Sequence, residues 1–266
     1  MSQTTPLGTP TASTQNTQYD KIGTRYKMMH DLPGVQPERP SVIQALGDVK
    51  GLRCLDLACG TGRYTHLLHT LGAASVTGFD ISSTMIEGAK ASYPPCAFPA
   101  LTFTVADCSK PLYPAPEPFD LIFAGWFLNY AGTEEELVSM FSIIAQNMKP
   151  GGRFVGITTN PEDPLMHESK MNFYGLDILV LDSAYKAPGS DKKLGIKARV
   201  VAQTEPVIQF DVFEFRTQVY ERCAREAGLR LKWSKPIVPD DERKGTDYWD
   251  RYLERPTFFI VEAMKL

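Results

Sequence analysis

Histidine and cysteine are scarce in this chain of 266 residues, with four of one and five of the other. The cysteines (Cys54, Cys59, Cys96, Cys108, Cys223) are odd in number, scattered and without metal-ligand spacing. Neither a disulfide framework nor a metal site is expected, and a reduced, cytoplasmic setting follows. His66 and His69 share a helical spacing, but no further ligand cluster stands near them in sequence. Net charge is only −3 and no basic stripe is visible, so nothing points to nucleic acid. No apolar run approaches the length that spans a membrane, so no membrane partner is expected. The first sixteen residues lack an apolar core and are rich in Ser, Thr, Gln and Pro. They are expected to form a disordered tail over 1–16 and not a secretion signal. Residues 17–266, with ordinary apolar and charged content, are expected to form a single domain carrying an insertion.

What is present is organised around Leu52 to Gly62, LRCLDLACGTG. Leu52, Cys54, Leu55 and Leu57 form a short apolar run, as a parallel strand covered on both faces requires. Asp56 falls near its end, where a carboxylate is costly unless something pairs with it. Gly60 and Gly62 let the backbone turn sharply and approach a ligand closely. The helix opening at Arg63 offers free N–H groups and a positive dipole end. A dinucleotide fold wants G-x-G-x-x-G, but the place of its third glycine is Arg63. Aligned on Ala58, Gly60 and Gly62, the loop reads A-x-G-x-G. Alanine in the first place is mild if Ala58 keeps a negative φ.

The stretches that follow fall into a β–α rhythm. Ser75 to Phe79 reads as a strand ending at Asp80, an acid placed to accept both hydroxyls of a ribose. Ser82 or Ser83 can cap a helix running to about Tyr93. Leu101 to Ala106 is a strand ending in Asp107-Cys108, and Phe119 to Gly125 leads into Trp126-Phe127-Leu128-Asn129-Tyr130. The Lys149-Pro150-Gly151-Gly152 turn starts a fifth strand. In order and spacing these stretches, over Tyr19 to Thr159, resemble the class I S-adenosylmethionine (SAM) methyltransferases. The arrangement as a whole is similar to the subgroup that includes the toxoflavin N-methyltransferases.

The resemblance implies an α/β fold: a three-layer, doubly wound, seven-stranded, mostly parallel sheet with an N-terminal helical cap. It implies SAM as cofactor, S-adenosylhomocysteine as product, and no metal. Asp56, Ala58, Gly60, Thr61 and Gly62 would form the loop against the cofactor. Asp80 would hold the ribose, Ile81 and Met85 would line the adenine, and Asp107 would accept its amino group, flanked by Ala106 and Cys108. Ala124, Gly125 and Trp126 would complete the site after the fourth strand. Tyr19 and Tyr26, on a helix read over Tyr19 to His30, would reach the methionine carboxylate or the substrate.

Asn160 to about Phe215 is longer than the compact fold needs. Its strand-like runs, Leu176–Leu181, Ile196–Gln203 and Val207–Phe215, predict an antiparallel flap over 171–215. Loops beyond the strands' carboxyl ends carry specificity in such folds, so the flap is expected to roof the substrate, with Phe173 and Tyr174 facing it. Leu229–Lys235 and Pro256–Met264 then read as the last two strands.

SAM carries its methyl already activated, so alignment of a nucleophile and exclusion of water do most of the chemistry. An obligatory catalytic residue is therefore not assigned, and the candidates are His30, Asn129, Tyr130, His167 and Tyr174. After the fourth strand the chain reads Ala124-Gly125-Trp126-Phe127, unlike the N-P-P-Y of DNA and protein amide methylators. Together with the aromatic candidates this points to a small, planar or aromatic metabolite, methylated on nitrogen, oxygen or carbon, as in natural-product biosynthesis. Three other readings stay open: a SAM-dependent cyclase, a non-catalytic SAM-binding protein, and a nicotinamide oxidoreductase, which the missing glycine disfavours. Oligomeric state is not legible.

Overall fold

A computed structural model describes residues 18–113 and 116–266, and the tail expected over 1–16 lies outside them. The chain opens with α1 (Gln18–Ile22), a 3-10 segment (Gly23–Asp31) and α2 (Glu38–Leu46). It then alternates through β1 (Arg53–Leu57), α3 (Arg63–Thr70), β2 (Ser75–Asp80), α4 (Ser83–Ser92) and β3 (Leu101–Val105). Next come β4 (Phe119–Gly125), α5 (Glu134–Asn147) and β5 (Met148–Thr159). Four strands follow without a helix: β6 (Lys170–Phe173), β7 (Leu176–Lys186), β8 (Lys193–Ala202) and β9 (Ile208–Phe215). The chain closes with α6 (Thr217–Glu226), β10 (Leu229–Ser234), α7 (Asp250–Glu254) and β11 (Phe258–Lys265).

Seven strands form one sheet in the order β10-β11-β5-β4-β1-β2-β3, parallel except for β11, which runs against both neighbours. Alternation within the strands explains the three layers. Along β4, Leu121 and Phe123 join one buried cluster with Leu67, Leu68 and Val42, while Ile122 and Ala124 join another with Phe141, Ile144 and Tyr220. A strand apolar on both faces has to be covered on both, here by α2 and α3 on one side and α5 and α6 on the other. Ser82 caps α4 by accepting from the Met85 N–H, and Thr133 caps α5 by accepting from the Glu136 N–H.

The second sheet is antiparallel, in the order β6-β7-β8-β9. It contains one strand more than the sequence predicts, because β6 spans four residues and is too short to show a period. A third buried cluster joins this flap to the N-terminal cap through Ile22, Met29, Val35, Leu176, Phe210 and Val212. The Gln18 side-chain amide extends β9, donating to the Asp211 carbonyl at 3.1 Å and accepting from its N–H at 2.8 Å. The cap differs from the single amphipathic helix expected over Tyr19 to His30. Gly23, at φ +55°, ends the α-helix, and the chain continues in 3-10 form.

Candidate functional site

The carboxyl ends of β1 to β5 meet along one edge of the large sheet, and the loop after β1 sets the geometry there. Ala58, Gly60 and Gly62 have φ of +55°, +53° and +84°. The expectation that Ala58 keeps a negative φ therefore fails; the tight turn forces a left-handed conformation that an alanine tolerates at a cost of about 1–2 kcal/mol. The two glycines differ in purpose. A Cβ on Gly60 would meet nothing within 4 Å, whereas one on Gly62 would come within 2.9 Å of the Phe103 ring. Gly60 keeps the cavity open, and Gly62 lets α3 pack on β3.

Backbone hydrogen bonds lock this loop to β2. The Cys59 N–H donates to the Phe79 carbonyl at 2.9 Å, and the Gly60 N–H donates to Asp80 Oδ2 at 2.8 Å. Asp80 Oδ1 accepts from the Ser82 N–H at 2.9 Å. Burial pushes the Asp80 carboxyl above the usual range, against the pull of these two N–H groups. Ser82 Oγ in turn donates to Asp20 Oδ1 at 2.6 Å, which ties α1 to the site. At the end of β3, burial alone would raise Asp107, but Lys110 and Ser109 hold its carboxyl below the usual range. Ser109 Oγ lies 2.6 Å from Asp107 Oδ1, and Lys110 Nζ lies 2.8 Å from Oδ2.

A cavity of about 190 Å³ runs from this loop beneath the cap and the flap. At the loop end it is lined by Ala58, Gly60, Thr61, Asp80, Ile81, Met85, Asp107 and Cys108, and at the end of β4 by Gly125, Trp126 and Tyr130. The cap contributes Tyr19, Tyr26 and His30. Tyr19 meets Tyr26 and Tyr130 edge-on, at 5.4 and 5.8 Å between ring centroids, and the Tyr19 and Tyr130 hydroxyls hydrogen-bond to each other. Burial raises all three phenols, so they act as neutral donors and not as phenolates. His30 is lowered to about 3 by burial and by the cations Arg63 and Lys27, which leaves it a neutral and very weak base.

Other residues expected at the site lie elsewhere. Asp56 points away from the cavity, accepts from Thr65 Oγ1 at 2.6 Å, and is raised to about 7 by burial. Gly62, Ala106 and Ala124 support the loop and strand ends without lining the cavity. Asn129 is buried below the wall beside Tyr130. His167 stands half exposed near Glu168, at a separate hollow beside Lys193 and Ile196 of β8. Tyr174 stacks on Trp249 at 5.3 Å, and its hydroxyl donates to the Tyr248 carbonyl. Phe173 stacks on Tyr252 at 5.9 Å. The β6–β7 turn thus seats these two rings against the segment around α7, because Tyr174 takes φ +55° there.

Sequence reasoning missed several lining residues. Glu38 accepts from Tyr64 Oη at 2.6 Å, Trp126 Nε1 at 3.0 Å and Arg63 Nη1 at 3.2 Å. This anchor and the bond from the Trp126 N–H to the Ile157 carbonyl hold Trp126 at φ +60°, an outlier for a bulky residue. No local signal marks Glu38, because its partners come from α3 and the end of β4. The flap residues Ile178, Val200, Phe210, Val212 and Glu214 also line the cavity. The alternation Phe210, Val212, Glu214 was a usable signal, since it puts the acid on the apolar face of β9.

Comparison with known proteins agrees with this architecture. A family model described as a methyltransferase domain matches residues 54–152. A ubiquinone/menaquinone biosynthesis C-methyltransferase from Desulfotalea psychrophila is 31% identical over 147 residues, 54% of this chain and 57% of that protein. A demethylmenaquinone methyltransferase from Lactococcus lactis subsp. lactis is 30% identical over 155 residues, 57% of this chain and 58% of that one. The chain thus spans a little over half the length of these curated relatives. Among solved structures, an S-adenosylmethionine dependent methyltransferase from Mesorhizobium loti superposes with a TM-score of 0.61 at 22% identity, over 85% of this chain and 97% of that chain. At that identity the likeness speaks for the fold.

Proposed function

We propose that this chain, which carries a methyltransferase domain over residues 54–152 on a class I fold, transfers methyl from SAM to a nucleophilic atom of a small molecule held beneath the flap. The observation that carries the reading is the continuity of the cavity. One end has an open glycine loop and two carboxylates at successive strand ends; the other is an apolar chamber roofed by β7, β8 and β9. The residues present fit SAM. Gly60 leaves room for close approach, and Asp80, fixed by two backbone N–H groups, retains lone pairs for two ribose hydroxyls. Ile81 and Met85 offer flat apolar contact for adenine, with Asp107 and Cys108 at its edge. Arg63, held by Glu38, and the neutral Tyr19 and Tyr26 offer donors for a carboxylate.

When bound, SAM supplies a methyl group activated by the sulfonium charge. The protein's part is to align the acceptor and keep water out, and alignment alone is worth about 7–11 kcal/mol. Trp126, Tyr130, Phe210 and Val212 suit a planar, largely apolar acceptor of metabolite size, as natural-product methylation would require. The matched relatives include quinone-biosynthesis methyltransferases by name, which supports a small-molecule acceptor. Calorimetry tests the premise. SAM is expected to bind at micromolar strength and to raise the melting temperature, and NAD to do neither. NAD binding without any SAM heat would end this reading.

A further inference from the structure

The flap's contribution to the cavity wall is apolar except at one place. Phe210, Val212 and Glu214 alternate along β9 and line the cavity together. Glu214 is 6% exposed, and its Oε1 is buried without a hydrogen-bond partner among the described residues. The cations around it are committed elsewhere. Lys170 Nζ lies 2.9 Å from Asp163 Oδ2, and Arg255 Nε lies 3.1 Å from Asp163 Oδ1. Arg216 Nη1 donates to the Asp163 carbonyl at 2.8 Å. Asp163 therefore collects the local positive charge, and buried Tyr220 is the remaining titratable neighbour. Burial pushes the Glu214 carboxyl up to about 7; Lys170, Arg216 and Arg255 pull against this, and Asp163 adds to it.

A buried carboxyl with an unpaired oxygen is a poor choice for packing, since an apolar residue of similar volume would avoid its desolvation cost. Thr159, at the end of β5, and Thr257, just before β11, also line the cavity, and Thr159 Oγ1 is likewise buried without a partner among the described residues. Of the other cavity residues, His30 is too weak a base and the phenols hold their protons. Glu38 is engaged by Tyr64, Trp126 and Arg63, Asp80 by two backbone N–H groups, and Asp107 by Ser109 and Lys110.

We propose that Glu214 accepts the proton of the substrate's nucleophile, so that the molecule methylated here presents a hydroxyl or an amine N–H at its reacting atom. The proposal rests on the reading of this cavity as a methylation site. In the step, the bond from the nucleophile to hydrogen breaks as its bond to the methyl carbon forms. The proton goes to the Glu214 carboxylate, and the electron pair of the broken C–S bond stays on the donor's sulfur. Glu214 then releases the proton to solvent once the product has left.

The test uses 2-naphthol and 2-methoxynaphthalene, planar probes that differ only in O–H against O–CH3. Each is titrated by fluorescence into the full chain without SAM, between about pH 5.5 and about pH 8.5, where a carboxyl tuned as a base titrates. The wild type is expected to prefer the naphthol about tenfold or more at the upper end, with the preference shrinking toward the lower end. Glu214→Met should reduce the preference to within about twofold, and Glu214→Gln, which keeps an acceptor but cannot ionise, should show one that no longer varies with pH. A wild type without preference, or one that binds neither probe, overturns the proposal, as does a preference retained in Glu214→Met. Should Glu214→Met fail to fold, a pH-dependent preference surviving in Glu214→Gln overturns it alone. SAM takes no part in these titrations, so a failure to bind SAM and a failure of Glu214 are read separately.

Discussion

The glycine loop and the flap build the two ends of one cavity by different means. The loop is fixed by its own N–H groups donating to the Phe79 carbonyl and the Asp80 carboxylate of β2, whose parallel register with β1 brings Leu57 opposite Phe79 and lets Gly60 reach Asp80. The flap is held to the cap by side chains over long separations: Ile22 and Met29 pack with Leu176 and Phe210, and the Gln18 amide hydrogen-bonds the Asp211 backbone. A backbone-built site restricts which residues can stand there, because φ and close approach exclude most side chains. A packing-built wall needs only apolar residues of suitable volume on the inner face, so it can change its occupant without altering the fold. The loop end therefore tolerates few substitutions, and the flap end tolerates those of similar volume.

The contrast can be broken most sharply at Phe173. Its ring is 2% exposed and stacks against Tyr252, away from the cavity. Phe173→Ala should lower the unfolding free energy by about 3–5 kcal/mol in urea denaturation. The SAM dissociation constant of the folded protein should move by less than about 0.5 kcal/mol, as for sites without shared partners. A small stability loss with a large loss of turnover would instead put Phe173 at the substrate.

Asp80→Asn comes next, and it removes the charge that two backbone N–H groups and the ribose would share. Calorimetry should show SAM binding weaker by about 1.5–3 kcal/mol. Phe210→Leu, at the other end, should leave SAM binding within about 0.5 kcal/mol. For any acceptor that is turned over, it should lower kcat/KM by about tenfold, or about 1.4 kcal/mol. Equal losses in both quantities from either variant would mean the cavity has no division between the two ends. The smallest effect is expected at Ala58, whose left-handed conformation glycine adopts freely. Ala58→Gly should raise stability by up to about 1 kcal/mol, the relief of strain being partly offset by the more flexible unfolded chain. A fall in melting temperature would show that the Ala58 methyl packs well enough to outweigh its strain.

The residues that line the loop end of the cavity were legible for a physical reason. Ala58, Gly60, Thr61, Asp80 and Asp107 each fall at or just past the end of a strand whose period and turn chemistry are local, while Asp56 and Gly62 of the same stretch lie off the cavity. The parallel strands β1 to β5 follow from the same β–α rhythm, whereas the seven-stranded sheet was what the family resemblance implied. Glu214 was half legible, since alternation along β9 fixes its face but not what that face meets. Tertiary structure alone decided the rest. Tyr174 lies against Trp249 and not at the cavity because a left-handed turn between β6 and β7 reorients it. Glu38 joins the site because α2 packs where Arg63, Tyr64 and Trp126 converge. The first sixteen residues lie outside the described chain, so the expected tail gains nothing from the structure. Local period and turn chemistry thus decide which residues stand at the strand ends, since both act between near neighbours in sequence. Where a side chain from a distant segment comes to rest depends on how whole elements pack, and no short stretch of residues encodes that.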